Sequence, residues 1–303
     1  MSFTYDFSDS EFDEVYFSYA YPYTFTRLIR FIRELKLDPD VSPTVKDSVP
    51  ICSSLSGIDV PLLTVTQNSN NENANYICNN KGELVTTLSG KKRRKKTVII
   101  TGRVHPGEAN SSFMMEGFIR FITSPNNQLA KELRKRIVFK IVPMLNVDGV
   151  VAGNYRCSMS GSDLNRKYHN PHQKLHPVVC AVKKLINQEK IDAGKHSSKQ
   201  IVAFFDLHGH SRKKNVFMYG PEFPIHDMRY LKMRVLPKIM SEQSQKFRFY
   251  SCKFRVQKSK EKTARVVLWR EFNITNCFTL EASFYGYFDQ SRETRHFEIP
   301  DYN

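Results

Sequence analysis

The chain has 303 residues, of which 46 are Lys or Arg and 30 are Asp or Glu, so its formal net charge is +16 at pH 7. This length suits one large α/β domain, alone or with a small appendage, and the positive charge predicts an acidic binding partner. The sequence has neither a membrane-length apolar run nor a secretory signal, and its six cysteines form no Cys-x-x-Cys pair, which favours reduced thiols in the cytoplasm.

The N-terminal third carries few signals of regular structure. Residues 1–15 are acidic and aromatic and are expected to form a tail or the edge of a preceding segment. Apolar positions at helical spacing predict a helix over 27–36, whereas Pro and Ser residues predict loops and turns from 37 to 60. The asparagine-rich stretch 68–80 is predicted to be a loop between short strands.

A dense basic run, Lys91–Lys96, directly precedes an apolar strand pattern. This run is a solvated turn between strands, a contact for an acidic protein tail, or a nuclear address. Nucleic acid is disfavoured as the partner because the run contains no aromatic side chain, and surfaces that bind single strands normally stack bases on aromatic rings.

The remainder of the chain alternates strand and helix patterns. Buried strands are predicted at 137–142, 201–206, 216–219 and 277–282, and helices at 109–122, 128–136, 176–189 and 226–243. Such alternation is typical of α/β proteins and predicts a mixed, mostly parallel central sheet sandwiched between helices. Ligands of open α/β sheets bind beyond the carboxyl ends of the strands, so the functional site is expected there.

Two histidines and a glutamate stand where this architecture places a site. His105 with Glu108, and separately His208, come after runs of apolar residues. Two histidines and one glutamate are a recurrent ligand set for catalytic zinc, which keeps a fourth position for water. The His-x-x-Glu spacing is weak alone, but Glu281 adds a carboxylate able to take a proton from that water. The combination favours a zinc hydrolase.

A polar segment after the strand at 137–142 indicates substrate binding. Arg156, Asp163, Asn165 and Arg166 follow this strand in quick succession, a density that packing does not explain. Two arginines and an asparagine suit a carboxylate clamp, because guanidinium groups bind carboxylates through two parallel hydrogen bonds.

These motifs together resemble the zinc metallocarboxypeptidases, and among them the cytosolic carboxypeptidases that remove glutamates from protein tails. The resembling segments are 16–24, 102–112, 142–149, 154–156, 161–166, 263–271 and Glu281. The resemblance implies that residues 1–15 are a tail or the remnant of a preceding β-rich domain. Residues 16–303 are then expected to form the catalytic domain, which stops sooner than the closing helix usual in the family.

The resemblance also implies a mechanism with one zinc ion per chain. His105, Glu108 and His208 would bind the ion, and Glu281 would act as the general base. Arg156 would steady the carbonyl oxygen of the substrate and the oxyanion that develops from it.

The same resemblance assigns the substrate pocket. Asn165 and Arg166 would grip the C-terminal carboxylate, which makes such an enzyme an exopeptidase. Arg265 would line the pocket for the terminal side chain and favour acidic residues, unless it is a surface arginine that begins a strand. Asp163 is either a partner of a zinc-bound histidine or a carboxylate that caps a turn. The mobile tyrosine of digestive carboxypeptidases has no counterpart in residues 251–280, and its role is left unassigned.

The expected function is that of a cytoplasmic zinc carboxypeptidase that trims acidic residues, above all glutamate, from C-terminal protein tails. Polyglutamylated tubulin is the substrate class that the resemblance implies. A zinc acylase that cleaves N-acyl amino acids would use the same metal and clamp, and a non-catalytic binder of acidic tails would keep the fold. No membrane or nucleic-acid partner is expected, and a nuclear fraction would depend on Lys91–Lys96.

Overall fold

Helices and strands alternate along most of the chain. The computed structural model describes residues 4–6, 14–67, 74–78, 84–88, 95–191, 201–289 and 291–302. The strands are β1 (Val45–Ser53), β2 (Asp59–Val65), β3 (Ala74–Cys78), β4 (Leu84–Leu88), β5 (Lys96–Gly102), β6 (Ile137–Val142), β7 (Ile201–His210), β8 (Val216–Tyr219), β9 (Cys277–Ser283), β10 (Tyr287–Phe288) and β11 (Thr294–Arg295). The helices are α1 (Phe25–Leu37), α2 (Ala109–Thr123), α3 (Gln128–Arg136), α4 (Val147–Val151), α5 (Pro177–Ile191), α6 (Met228–Gln243), α7 (Ala264–Phe272) and α8 (Ile299–Tyr302). Among the described residues, none of the helices has the length and apolar character needed to cross a membrane.

Seven strands form one central sheet, in the order β1-β2-β6-β5-β7-β9-β8. The four central strands β6, β5, β7 and β9 run parallel to one another. The outer strands β1, β2 and β8 pair antiparallel with their neighbours. The predicted fold class, a mixed and mostly parallel sheet, is therefore confirmed.

The strand order determines where the helices lie. The chain moves from β5 to β6 on one side, and then returns past β5 to β7 and β9 on the other. Because crossovers between parallel strands are right-handed, α2 and α3 cover one face of the sheet and α5 and α7 cover the opposite face. α2 packs on β5 and β7, α5 packs on β7 and β1, and α7 packs on β7 and β9. Helices thus enclose the sheet as predicted.

The chain changes direction between β5 and β7, and this position determines where the site forms. Neighbouring parallel strands whose connections leave in opposite directions open a crevice at their carboxyl ends. The strands themselves are apolar and buried, as in Val98, Ile99 and Ile100 of β5 and Phe204 of β7. The polar residues that follow or end these strands are therefore the ones that line the crevice.

Two loop predictions are wrong. Residues 45–53 of the predicted loop at 37–60 form β1, an edge strand that pairs on one side only. An edge strand tolerates a proline such as Pro50, which has no N–H to donate, so the local composition imitated a loop. In the stretch 68–80, residues 74–78 form β3, paired with β4, and the other residues lie outside the described ranges. Most of the basic run, residues 91–94, also lies outside them.

Candidate active site

The carboxyl ends of β5, β7 and β9 carry the predicted metal-binding side chains. His105 lies in the loop that follows β5, and Glu108 is the N-cap residue of α2. His208 lies near the end of β7, because this strand extends to His210 and not to 206 as predicted. Glu281, on β9, is the residue paired with His208 in the parallel register. The sheet therefore brings the four residues together at the crevice.

Buried contacts hold the loop between β5 and α2. Arg103 adopts a left-handed backbone conformation with φ 55°. Its guanidinium donates to the carbonyl oxygen of Pro106 and to the hydroxyl of Ser112, both at 2.8 Å. These two hydrogen bonds from a buried guanidinium join the loop to the first turns of α2. They therefore hold the loop residues in place relative to the sheet.

His105, Glu108 and His208, here called the ligand triad, converge on one point. Their potential ligand atoms all lie within 4.8 Å of one another, and each residue is at most 9% exposed. The Glu108 carboxylate bridges the two imidazoles, with Oε1 2.7 Å from Nδ1 of His105 and Oε2 3.0 Å from Nδ1 of His208. Two Nδ1 atoms and a carboxylate that face one point fit the donor set of a catalytic zinc ion.

A second carboxylate orients each imidazole from behind. Nε2 of His105 lies 3.1 Å from Oδ1 of Asp163, and Nε2 of His208 lies 2.7 Å from Oδ2 of Asp206. Asp206 is held in turn by the hydroxyl of Thr101, which donates to Oδ1 at 2.8 Å. Carboxylates in these positions would keep the proton on Nε2 when Nδ1 gives up its own proton and offers its lone pair to a metal ion.

Burial and neighbouring charges shift the pKa values of this cluster. Although burial works against it, the charges of Asp206 and Glu108 raise the pKa of His208 well above its usual value. Burial raises the pKa of Glu108, but the charge of His208 and hydrogen bonds from both imidazoles outweigh it and hold this pKa well below its usual range. Burial raises the pKa of Glu281 to about 7, against the positive charge of His208. A carboxyl group with a pKa near neutrality suits proton transfer at physiological pH.

Asp163 links the ligand triad to the polar segment. Its carboxylate contacts Nε2 of His105 and also accepts from the backbone N–H of Asn165 at 2.9 Å, as the cap of the 3₁₀ turn Leu164–Arg166. Asp163 thus makes both of the contacts that the sequence left as alternatives. Arg156 donates to the same carboxylate through Nε at 2.9 Å and Nη2 at 2.7 Å. This double hydrogen bond fixes the guanidinium beside the triad.

Asn165 is buried, and both ends of its amide are placed by the fold. Oδ1 accepts from the backbone N–H of Ala264 at 2.9 Å, and Nδ2 lies 3.3 Å from Nε2 of His208. Because that Nε2 itself donates to Asp206, it offers no lone pair to Asn165, and the Nδ2 protons remain available to a ligand. Arg166 donates to the carbonyl oxygen of Asn165 at 2.9 Å. Asn165 and Arg166, predicted to form a carboxylate clamp, therefore lie together, and their binding of a carboxylate stays a prediction.

A cavity of about 520 Å³, here called the active-site cavity, opens over these residues. Eight of the nine predicted site residues line it, and Asp163 lies behind them in contact with His105. Its basic lining residues are Arg156, Arg166, Arg212, Lys253, Arg255, Lys260 and Arg265, and its carboxylates are Glu108 and Glu281. This excess of positive charge suits an anionic substrate.

Arg265 lines the same cavity from the first turn of α7 and is only 5% exposed. The alternative that it is a surface arginine beginning a strand is therefore wrong. Its guanidinium donates to the carbonyl oxygen of Gly220 and lies 5.9 Å from the ring of Tyr219. Burial lowers the pKa of Arg265, and no carboxylate lies within 4.0 Å of it in the described part of the chain. A buried cation of this kind is suited to an acidic ligand.

Sequence reasoning missed several residues of the site. Asp206 had a detectable signal, because residues two apart in a strand point to the same face and Asp206 stands two before His208. Tyr219 lines the active-site cavity from β8, outside the stretch in which a tyrosine was sought. Lys253 and Lys260 come from a segment without a predicted element, and the sequence gives no local signal for their position.

Comparison with known proteins agrees with this geometry. Residues 31–264 match the family described as zinc carboxypeptidase, and Glu281 lies beyond the matched stretch. The chain is 40% identical to cytosolic carboxypeptidase 2 of Xenopus tropicalis over 304 residues, which cover 99% of this chain and 28% of that protein. It is 38% identical to human cytosolic carboxypeptidase 1, over 94% of this chain and 23% of that protein. The chain thus spans less than a third of the length of these relatives.

Solved structures share the fold at lower sequence identity. A metallo-carboxypeptidase from Burkholderia cenocepacia superposes with a TM-score of 0.71 at 23% identity, covering 93% of this chain and 65% of that one. Carboxypeptidase A from Helicoverpa armigera superposes with a TM-score of 0.60 at 15% identity, covering 92% of this chain and 68% of that one. With the family match over most of its length and relatives of up to 40% identity over nearly all of it, the chain belongs to the zinc carboxypeptidase family.

Proposed function

We propose that this chain acts as a zinc-dependent carboxypeptidase that removes acidic residues, above all glutamate, from the C-terminal ends of protein tails. The observation that carries the proposal is a single cavity in which the ligand triad, a facing carboxylate and seven basic side chains meet. Polyglutamylated tubulin, which the resemblance implies, is a substrate of this class. The proposed location is the cytoplasm, and a nuclear fraction through Lys91–Lys96 stays a prediction.

The residues of the cavity divide the chemistry among them. The ligand triad would hold one zinc ion, which when bound polarises the scissile carbonyl and lowers the pKa of a water molecule. Glu281 would take the proton of the attacking water and pass it to the departing amine. Arg156, held in place by Asp163, would donate to the oxyanion that develops from the carbonyl oxygen of the substrate.

The clamp and the basic lining account for the choice of substrate. Asn165 and Arg166 would bind the terminal α-carboxylate, and Arg265 would receive the carboxylate of the terminal side chain. Burial and then the charges of Arg166 and Arg156 lower the pKa of Lys260, which shows how closely the cations of this cavity are crowded. An acidic substrate relieves this repulsion, whereas a basic terminus would add to it.

The test is mass spectrometry of a glutamate-tailed peptide incubated with the purified protein, with and without a zinc chelator. Stepwise loss of terminal glutamates that the chelator blocks, and that a C-terminally amidated peptide does not undergo, is the expected result. Hydrolysis of N-acyl amino acids but not of the peptide would identify an acylase. Binding of the peptide by the zinc-loaded protein without shortening would identify a non-catalytic binder of acidic tails.

A further inference from the structure

A second basic cavity lies beside the active-site cavity. It has a volume of about 600 Å³, and its lining includes Lys213, Lys214, Asn215, Arg248, Phe288 and Arg292. Four of these side chains are cations, and no acidic residue lines the cavity. This second cavity is here called the lateral cavity. None of its lining residues has a role in the proposed mechanism.

The cations of the lateral cavity lack acidic partners. Within the described part of the chain, no carboxylate oxygen lies within 4.0 Å of Lys213, Lys214, Arg248 or Arg292. The acidic residues on either side of Arg292 in the sequence, at 289 and 293, are both paired with Arg295. Four positive charges around one space, without internal neutralisation, favour an external anion.

The polar contacts that these cations do make are with neutral groups. The ammonium of Lys214 contacts the hydroxyl of Thr294 and lies 4.5 Å over the ring of Phe288. Arg248 donates to the carbonyl oxygen of Phe288 at 3.2 Å. Since each cation keeps further donors, these contacts place the charges and still allow them to bind an anion.

Asn215 gives an independent indication of a ligand. This residue is 2% exposed and has a left-handed φ of 69°. Its Oδ1 accepts from the backbone N–H of Phe288 at 3.4 Å, but its buried Nδ2 has no hydrogen-bond partner in the described part of the chain. Buried polar groups are nearly always paired, so a donor without an acceptor beside four cations indicates a missing acceptor. Because Asn215 lines the lateral cavity, a small movement of its side chain would let a carboxylate bound there supply this acceptor.

Lys213 connects the two cavities. It belongs to the turn after β7, and its ammonium lies 3.4 Å from the carbonyl oxygen of Ser251 and 4.7 Å from the ring of Phe217. Burial, and then the charge of Lys253 in the active-site cavity, lowers the pKa of Lys213. Positive charge therefore continues from the active-site cavity across the turn into the lateral cavity.

We infer that the lateral cavity is a second anion-binding site, which holds carboxylate side chains of an acidic substrate upstream of the residue being removed. The inference rests on the proposed function, since it takes the occupant to be the same peptide whose end lies at the ligand triad. A peptide bound at two places gains affinity because the second contact forms within the complex already made by the first.

The test compares a long and a short acidic substrate. The long one is a peptide of about ten glutamates, which spans about 33 Å when extended, and the short one is an N-blocked glutamyl-glutamate that covers only the active-site cavity. The variant is Lys214→Glu with Arg248→Glu. The control is Arg30→Glu with Lys184→Glu, two exposed positions on α1 and α5 that change the net charge by the same amount.

The lateral variant is expected to raise KM for the long peptide by about tenfold with kcat unchanged, and to leave the short substrate within about twofold. The control is expected to change both substrates equally and weakly. An unchanged KM for the long peptide, or an equal loss on both substrates, would overturn the inference. If the variant does not fold, Lys214→Ala with Arg248→Ala serves instead, with an expected rise of about threefold.

Failure of the proposed function gives a different result. In that case the wild-type chain cleaves neither substrate, and the lateral cavity is tested by binding alone. The probe is a fluorescent glutamate peptide with an amidated C-terminus, whose affinity is measured by anisotropy. Weaker binding by the lateral variant than by its control supports the second site, and equal binding contradicts it.

Discussion

The ligand triad and the basic rim of the active-site cavity differ in how their side chains are held. Around the triad, each imidazole nitrogen lies 2.7 to 3.1 Å from a carboxylate oxygen, and Glu108 serves both Nδ1 atoms. On the rim, Lys253, Arg255 and Lys260 are exposed and face solvent. A reaction needs fixed atoms, whereas attraction of a flexible acidic tail needs charge without a fixed geometry. Changes at the triad should therefore lower catalysis, and changes at the rim should lower affinity.

The largest effect is expected from Glu281→Gln, which removes the base and no ligand. We expect kcat/KM for a glutamate-tailed peptide to fall by about 10²–10⁴-fold while zinc content stays the same. Steady-state kinetics and metal analysis on the same preparation check both quantities. Glu271→Gln, which removes an exposed carboxylate paired with Lys183 at 2.7 Å, is the control and should retain full activity. A Glu281→Gln variant with more than about a tenth of the wild-type activity would exclude this residue as the base.

Asp206→Asn tests whether the carboxylates that contact Nε2 of each histidine help to hold the ligand triad in place. Loss of the acceptor for Nε2 of His208 should weaken zinc binding or activity by about 10–100-fold, because the imidazole is no longer held in its tautomer. Competitive chelator titration measures the zinc affinity. The matched control is Asp148→Asn, a buried carboxylate bound by the hydroxyl of Ser54 at 2.5 Å, which should lower Tm but keep the zinc affinity. Equal zinc affinity in both variants would contradict the role of Asp206.

The ligand triad is also the part of the site that the sequence predicted best. His105, Glu108 and His208 carry a recognisable ligand set, and each follows or ends an apolar run. A buried parallel strand is a continuous apolar run, and its carboxyl end lies at the crevice. The residue that ends or follows such a run in the sequence is therefore also a residue of the site. The same alternation of runs predicted the central sheet, and the strand at 137–142 matches β6 in both bounds.

The remaining features depend on contacts between distant segments. The edge strand β1 forms because β2 offers it a partner, although Pro50 and its neighbours favour a turn. The lateral cavity combines residues near 214, 248 and 290 that share no local pattern, and only the folded chain brings their charges together. The sequence allowed two interpretations of Arg265, and only the structure shows that it is buried in α7. Recognition surfaces are thus harder to predict than the catalytic centre.

Arg265→Gln tests a side chain that is buried like the triad but is assigned to substrate recognition. We expect the preference for a terminal glutamate over a terminal leucine to fall by about tenfold or more, with zinc content unchanged. Paired peptides that differ only in the last residue measure this ratio. The control is Arg134→Gln, another buried arginine, which donates to the carbonyl oxygens of Ile122 and Ser124 and should lose stability but keep the preference. An unchanged ratio in Arg265→Gln would remove this residue from the specificity pocket.

The smallest effect is expected from Lys260→Ala on the rim. Loss of one exposed charge should raise KM for an acidic peptide about two- to threefold at low salt, and the difference should disappear at about 0.5 M salt, where screening shortens the range of the charge. Partial burial of its ammonium and the charges of Arg166 and Arg156 lower the pKa of Lys260, so its removal also relieves repulsion and should leave Tm unchanged or slightly higher. Lys184→Ala, at an exposed position on α5, is the control and should leave KM unaltered. A fall in kcat at constant KM would mean that Lys260 positions the reacting groups, and the rim would then share the fixed geometry of the triad.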